Sequence, residues 1–169
     1  FRLRGQNGET LWGRAADAEG LAILGGRNGV KNDARLLVSF ERIPRVDRYT
    51  PTARFERRHD LAPQLQKAYR GSNRGFESVT YMDGFGILTS PERPATDPSG
   101  NIHHIIELRG SVWSFPRFDA PASSVVAIET MDDGSLITLE RSFVSVWQPL
   151  YIVMRRLAPL TNVHEELVP

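Results

Sequence analysis

The stretch NRGFESVTYMDGFGILTSPERP, residues 73–94, reads as two apolar strands joined by a turn at Asp83 and Gly84, with Glu77 near its start and Glu92-Arg93 at its end. The same plan recurs in DAEGLAILGGRNGVKNDARLLVSFER (17–42) and SSVVAIETMDDGSLITLER (123–141). The Glu-Arg pairs fall at 41/42, 92/93 and 140/141, spacings of 51 and 48 residues. A repeat of that length is a signature of propeller blades.

Each unit continues with further strand-like runs: RVDRYTP and ARFERRH in the first, IHHIIELRG and VWSFPRF in the second, LYIVMRRL in the third. Val, Ile, Tyr, Phe and Trp between Gly, Asp and Pro punctuation favour strand over helix. Four short strands per unit is the arithmetic of a blade. The expected fold class is all-β and β-propeller-like: about three four-stranded blades, roughly 17–59, 73–119 and 123–157, in a single region over 1–169. One short helix in DLAPQLQKAY (60–69) is expected to connect the first two blades. Asp60 would cap it, Pro63 would sit in its first turn, and Leu61, Leu65 and Ala68 would share a face. Closed propellers need about four to eight blades, so three make an open arc with bare edges. The remaining blades are expected from the rest of a longer chain, the preferred reading, or from self-association or a partner.

Composition narrows the function. Lys+Arg number 21 against 20 Asp+Glu, so no basic field points to a nucleic acid. Only Lys31 and Lys67 are lysines; the arginines suit forked contacts to carboxylate or phosphate, although genomic base composition is the simpler source of the bias. The absence of cysteine excludes disulfides, thiolate metal sites and a Cys nucleophile. No apolar run approaches about 18 residues, so no membrane insertion is expected.

With these residues in hand, the chain resembles the bacterial phytase-like proteins described as having esterase-like activity, a β-propeller group related by name to the calcium-dependent propeller phytases. DAEGLA (17–22), LLVSFER (36–42), NRGFESV (73–79), TSPERP (89–94) and DDGSLITLER (132–141) carry the resemblance, in the family's order and spacing, between about Leu3 and Leu157. The family's glycine-rich opening blade and its closing segment have no counterpart here. FESV stands where a Glu-Gly-Leu type is usual, and VVAI in the third unit has no acid matching Glu19 and Glu77. The resemblance implies ester hydrolysis, a periplasmic or secreted setting, and a site that is not threefold repeated.

In a propeller the first strand of each blade lines the central channel. Glu19 and Glu77 would then face a shared axis, with Glu41, Glu92 and Glu140 at strand ends near one mouth. Converging carboxylates are how a protein builds an oxygen-ligand calcium site. The expected metal ligands are Glu19, Glu77, Asp17 and Asn73, with calcium as the cofactor and no organic one. The expected catalytic groups are Glu77, Glu92, Arg93 and Arg42, acting on a small-molecule ester or phosphate through a metal-activated water. Two other readings stand beside this one. The Glu-Arg pairs can be ties in which the arginine of one blade meets the glutamate of its neighbour, with Asp17 and Asn73 as turn residues; and the whole can be a non-catalytic propeller that binds a ligand or protein.

No Gly-x-Ser-x-Gly elbow is present. Ser39 and Ser90 precede Glu-Arg pairs, but His59, His103, His104 and His164 sit at no matching offset to serve as base. His103 and His104, adjacent in a strand, face opposite sides and cannot share a metal. Trp12, Trp113 and Trp147 read as packing between blades.

Overall fold

The computed structural model describes residues 2–26, 28–70, 74–95, 97 and 100–158. Three antiparallel sheets follow one another, each a meander of sequential strands. The first holds β1 (Ala18–Leu24), β2 (Arg35–Phe40), β3 (Arg45–Tyr49) and β4 (Phe55–His59). The second holds β5 (Phe76–Met82), β6 (Gly86–Pro91), β7 (Ile102–Glu107) and β8 (Val112–Pro116). The third holds β9 (Ser123–Thr130), β10 (Leu136–Ser142) and β11 (Tyr151–Leu157), three strands among the described residues instead of four. The first strands pack side by side, with β5 between β1 and β9, as the inner strands of successive blades do.

Alternation in sequence becomes alternation in burial. Leu136, Thr138, Glu140 and Ser142 of β10 are buried, while Ile137 and Leu139 are half-buried and Arg141 is exposed. Two apolar seams result. Ala22, Leu37 and Val46 of the first sheet meet Val79, Ile87 and Ile106 of the second. Met82, Leu88 and Ile105 of the second meet Val125, Ile128 and Leu136 of the third. Full burial of one such side chain contributes about 1.5–3 kcal/mol, against about 0–1 kcal/mol for an exposed ion pair, so the seams hold the sheets together. The outer face of the first sheet, with Val38, Phe40 and Tyr49, is covered by Leu3 and Leu11 of an N-terminal segment closed by an Arg4–Thr10 bridge.

The connecting helix, α1 (Pro63–Tyr69), is shorter than expected and Asp60 is not its cap. Pro63 occupies the first turn and holds Ala62 extended (φ −53°, ψ 138°), so the helix cannot begin earlier. Its buried face is Leu65 and Tyr69, with Leu61 just before it; Ala68 is exposed. Of the tryptophans, Trp113 packs edge-on against Phe85 (5.3 Å between centroids) in the second seam. Trp12 and Trp147, by contrast, are 66% and 92% exposed and pack between no blades. Trp147 lies in the largely apolar, Pro-containing run between β10 and β11, and Trp12 carries Arg2 on its ring.

Candidate functional site

Two glutamates owe their position to the same irregularity. Between β1 and β2, Ala18 pairs with Phe40 and Gly20 with Ser39, leaving Glu19 as an extra residue. Between β5 and β6, Phe76 pairs with Pro91 and Ser78 with Ser90, leaving Glu77 extra. A bulge of this kind bends the strand and re-aims the side chain it carries. The third sheet also has a bulge, but its extra residue is Val126.

Glu41 and Glu92 reach the same place from the other strand of each hairpin. Their backbone N–H groups donate to the carbonyls of Asp17 and Gly75, both at 3.1 Å, which clamps each acid beside the start of its own inner strand. Glycines then let the two hairpins meet. A β-carbon on Gly20 would stand 2.8 Å from the Ser78 backbone, and one on Gly75 would stand 3.0 Å from the Cα and carbonyl carbon of Glu41. Only a residue without a side chain permits that approach.

The outcome is a continuous carboxylate cluster. One oxygen from each of Asp17, Glu19 and Glu41 lies within 4.8 Å of the others, and the same holds for Glu41, Glu77 and Glu92. Glu41 belongs to both sets and is only 6% exposed. Burial pushes the Glu77 carboxyl up to about 7, helped by the charges of Glu19, Glu41 and Glu92 and opposed by Arg141. Glu41 is raised by burial and then by Asp17, Glu19 and Glu92, and Glu19 is raised by burial and then by Asp17. Arg141 and Arg42 pull Glu19 the other way.

The expected residues divide accordingly. Asp17, Glu19, Glu77 and Glu92 come together; Asn73 and His164 lie outside the described residues. Arg42 is committed to Asp17, Nε to Oδ2 at 2.9 Å, within its own blade. Arg93, exposed, lines a cleft that starts at Glu92. Glu41 is absent from the metal set expected from sequence, although its place before Arg42 in the repeat marks it as the counterpart of Glu92.

Glu140 departs from the expectation that it ends a strand at the mouth. It lies inside β10, 1% exposed, and accepts from His103 Nε2 at 3.1 Å and from Arg155 Nε at 2.5 Å. The backbone N–H of Phe118 also donates to it at 3.2 Å. Glu140 follows Gly134 by only six positions, whereas Glu92 follows Gly84 by eight, so the third acid stops short of the strand end. Glu140 does tie one blade to the next, but through a histidine of β7 and not through a repeat arginine.

Ser39 and Ser90 are fully buried, and Ser39 Oγ has no hydrogen-bond partner. Ser90 Oγ donates weakly to the Pro91 carbonyl at 3.5 Å, so among the described residues neither serine is paired with a histidine base. A metal cluster suits these donors better. Two ligands of one calcium ion stand at most about 5 Å apart, twice its bond length of about 2.3–2.6 Å, and the separations here fit that limit. The donors are all carboxylate oxygens, the set a hard cation takes, and their crowding is a repulsion that such a cation relieves.

A family model described as Phytase-like, esterase-like activity of phytase, matches residues 1–165. No curated protein matches the chain.

Proposed function

Because the chain belongs to the Phytase-like family, we propose that the cluster of Asp17, Glu19, Glu41, Glu77 and Glu92 is a calcium centre for the hydrolysis of a phosphate or carboxylic ester. At family level the domain is of the phytase and esterase-like hydrolase type. The observation that carries the finer reading is the meeting of Glu41, Glu77 and Glu92 from two different sheets at ligand spacing.

The chain's own residues divide the work. Glu41, buried and shared by both sets, is the fixed ligand, and Glu77 and Glu92 complete the set on the side of the second sheet. Arg42 holds Asp17 in place by its 2.9 Å ion pair. Arg93, next to Glu92, is the group that receives the anionic part of a substrate. Bound calcium supplies Lewis acidity and a more acidic water at neutral pH. Carboxylate-rich sites of this open kind suit compartments where calcium is abundant, so the proposal extends to a periplasmic or secreted setting.

The test is release of p-nitrophenol from p-nitrophenyl phosphate and p-nitrophenyl acetate, each with calcium and with chelator. Calcium-dependent turnover that Glu77→Gln abolishes while the protein stays folded is the expected result. Turnover at the wild-type rate in that variant, or in chelator, would remove the cluster from the chemistry. Calcium binding without any product would leave a binding domain.

A further inference from the structure

We propose that a cleft at one end of the second sheet is a binding site for a small oxyanion of the phosphate class, held by Arg74, Arg93 and Arg117. It takes up Arg93 from the reading above but rests on the arginines alone, and needs neither the cation nor turnover.

The topology places these residues together. In an antiparallel meander the start of one strand and the end of the next lie at the same edge. Arg74 precedes β5, Arg93 follows β6 and Arg117 follows β8, so all three belong to one end of the sheet. They line a cleft of about 360 Å³ with His103, Ser123 and Glu92. That volume is many times the roughly 30 Å³ occupied by one water, and holds a phosphate group with room for an attached ester.

Charge makes the case. Arg35, Arg42, Arg45, Arg48, Arg58, Arg109, Arg155 and Arg156 are each within ion-pair distance of a carboxylate. Arg74, Arg93 and Arg117 make no such pair among the described residues, as is also true of Arg2, Arg14, Arg70 and Arg141, and what sets the three apart is that they line one cleft together, although Glu92 and Asp97 share that lining. Glu92 is drawn into the carboxylate cluster, and Asp97 Oδ2 accepts from the Ile102 backbone N–H at 2.9 Å. A planar carboxylate offers two oxygens and is satisfied by one guanidinium fork. Three guanidiniums arriving from three segments match a tetrahedral group, whose oxygens point in several directions.

Calorimetric titration of the whole chain in chelator, with inorganic phosphate, phenyl phosphate and acetate, tests the site. Phosphate is expected to bind saturably, with acetate at least about tenfold weaker, and Arg74→Gln and Arg117→Gln are each expected to weaken phosphate by about tenfold, the scale of one charged hydrogen bond. Equal or tighter binding of phenyl phosphate assigns the cleft to monoesters, and its rejection assigns it to the free ion; both uphold the site. Absence of saturable phosphate binding, or undiminished affinity in the Arg74→Gln/Arg117→Gln double variant with its melting temperature preserved, overturns it. Phosphate binding is read in chelator from the arginine variants, so turnover at the wild-type rate in Glu77→Gln would sink only the hydrolytic reading and leave this site standing.

Discussion

Gly75 lies so close to Glu41 that a β-carbon on it would stand 3.0 Å from the Glu41 Cα and from its carbonyl carbon, and closer still to the oxygen. The second sheet thus begins in contact with the residue that ends the hairpin of the first. The cluster depends on that contact, because Glu41 is the acid common to both carboxylate sets.

Gly75→Ala is therefore expected to push the two hairpins apart. The overpacking should lower stability by about 1–3 kcal/mol and weaken calcium binding by about tenfold, measured by denaturant titration and calorimetry. Wild-type calcium affinity in this variant would show that the close approach does not position the site.

Glu77 gives the cluster a pH signature. Its carboxyl keeps a proton up to about pH 7 in the fold, against 4.5 ordinarily. The folded chain thus binds more protons between those values, so the contribution of Glu77 to stability is full below pH 4.5 and is lost as pH rises through 7. In chelator, the melting temperature of the wild type minus that of Glu77→Gln should fall across this window and level off above it. A difference that rises across the window would contradict the burial of this carboxyl among its neighbours.

If the cluster is the proposed calcium centre, calcium is expected to act in the opposite sense, because it favours the ionised carboxylates. At a free concentration one hundred times its dissociation constant it should add about 2.7 kcal/mol, several degrees in melting temperature, and more above pH 7 than below. Removal with chelator should reverse the gain. Glu92→Gln should reduce it, and an undiminished gain would exclude Glu92 from the ligand set.

Glu140 should behave as a structural residue. Removing its charge leaves Arg155 and the buried His103 without their partner, so Glu140→Ala is expected to cost about 3–5 kcal/mol. Calcium affinity in the folded fraction should be unchanged. A selective loss of calcium binding at full stability would place Glu140 back with the site acids.

The tryptophans provide an internal contrast. Trp113→Ala should cost about 3 kcal/mol through the second seam, whereas Trp147→Ala, at a position 92% exposed, should stay within about 0.5 kcal/mol of wild type. Thermal melts of the two variants check this directly.

The strands and their grouping were legible because alternation and turn chemistry are local, as in GFESVTYMDGFGILTSP, and each local choice agrees with its sheet. The meeting of these carboxylates was legible for the same reason: the repeat places Glu19 and Glu77, and likewise Glu41 and Glu92, at equivalent points of two hairpins. What the repeat did not carry was register. A Glu-Arg pair two residues nearer its turn stays inside the strand, and the side chain that would have faced the mouth is buried against β7 instead. Capping failed similarly at Asp60, where Pro63 dictates the backbone of the residue before it. Trp12 and Trp147 show a third limit, since an aromatic residue advertises burial only when another element arrives to cover it.

Each sheet is made from an uninterrupted run of chain, while the carboxylate cluster draws on two of them. Sheet formation is thus a matter of short loop closures, and the cluster exists only after two independently formed pieces have docked. In the proposed calcium centre, calcium affinity would then be a gauge of docking. If the first sheet swings away while its own hairpins stay intact, amide protection within the strands persists but the shared ligand set dissolves, so a loosened pair of sheets would register first as a lost ion and only later as a lost fold.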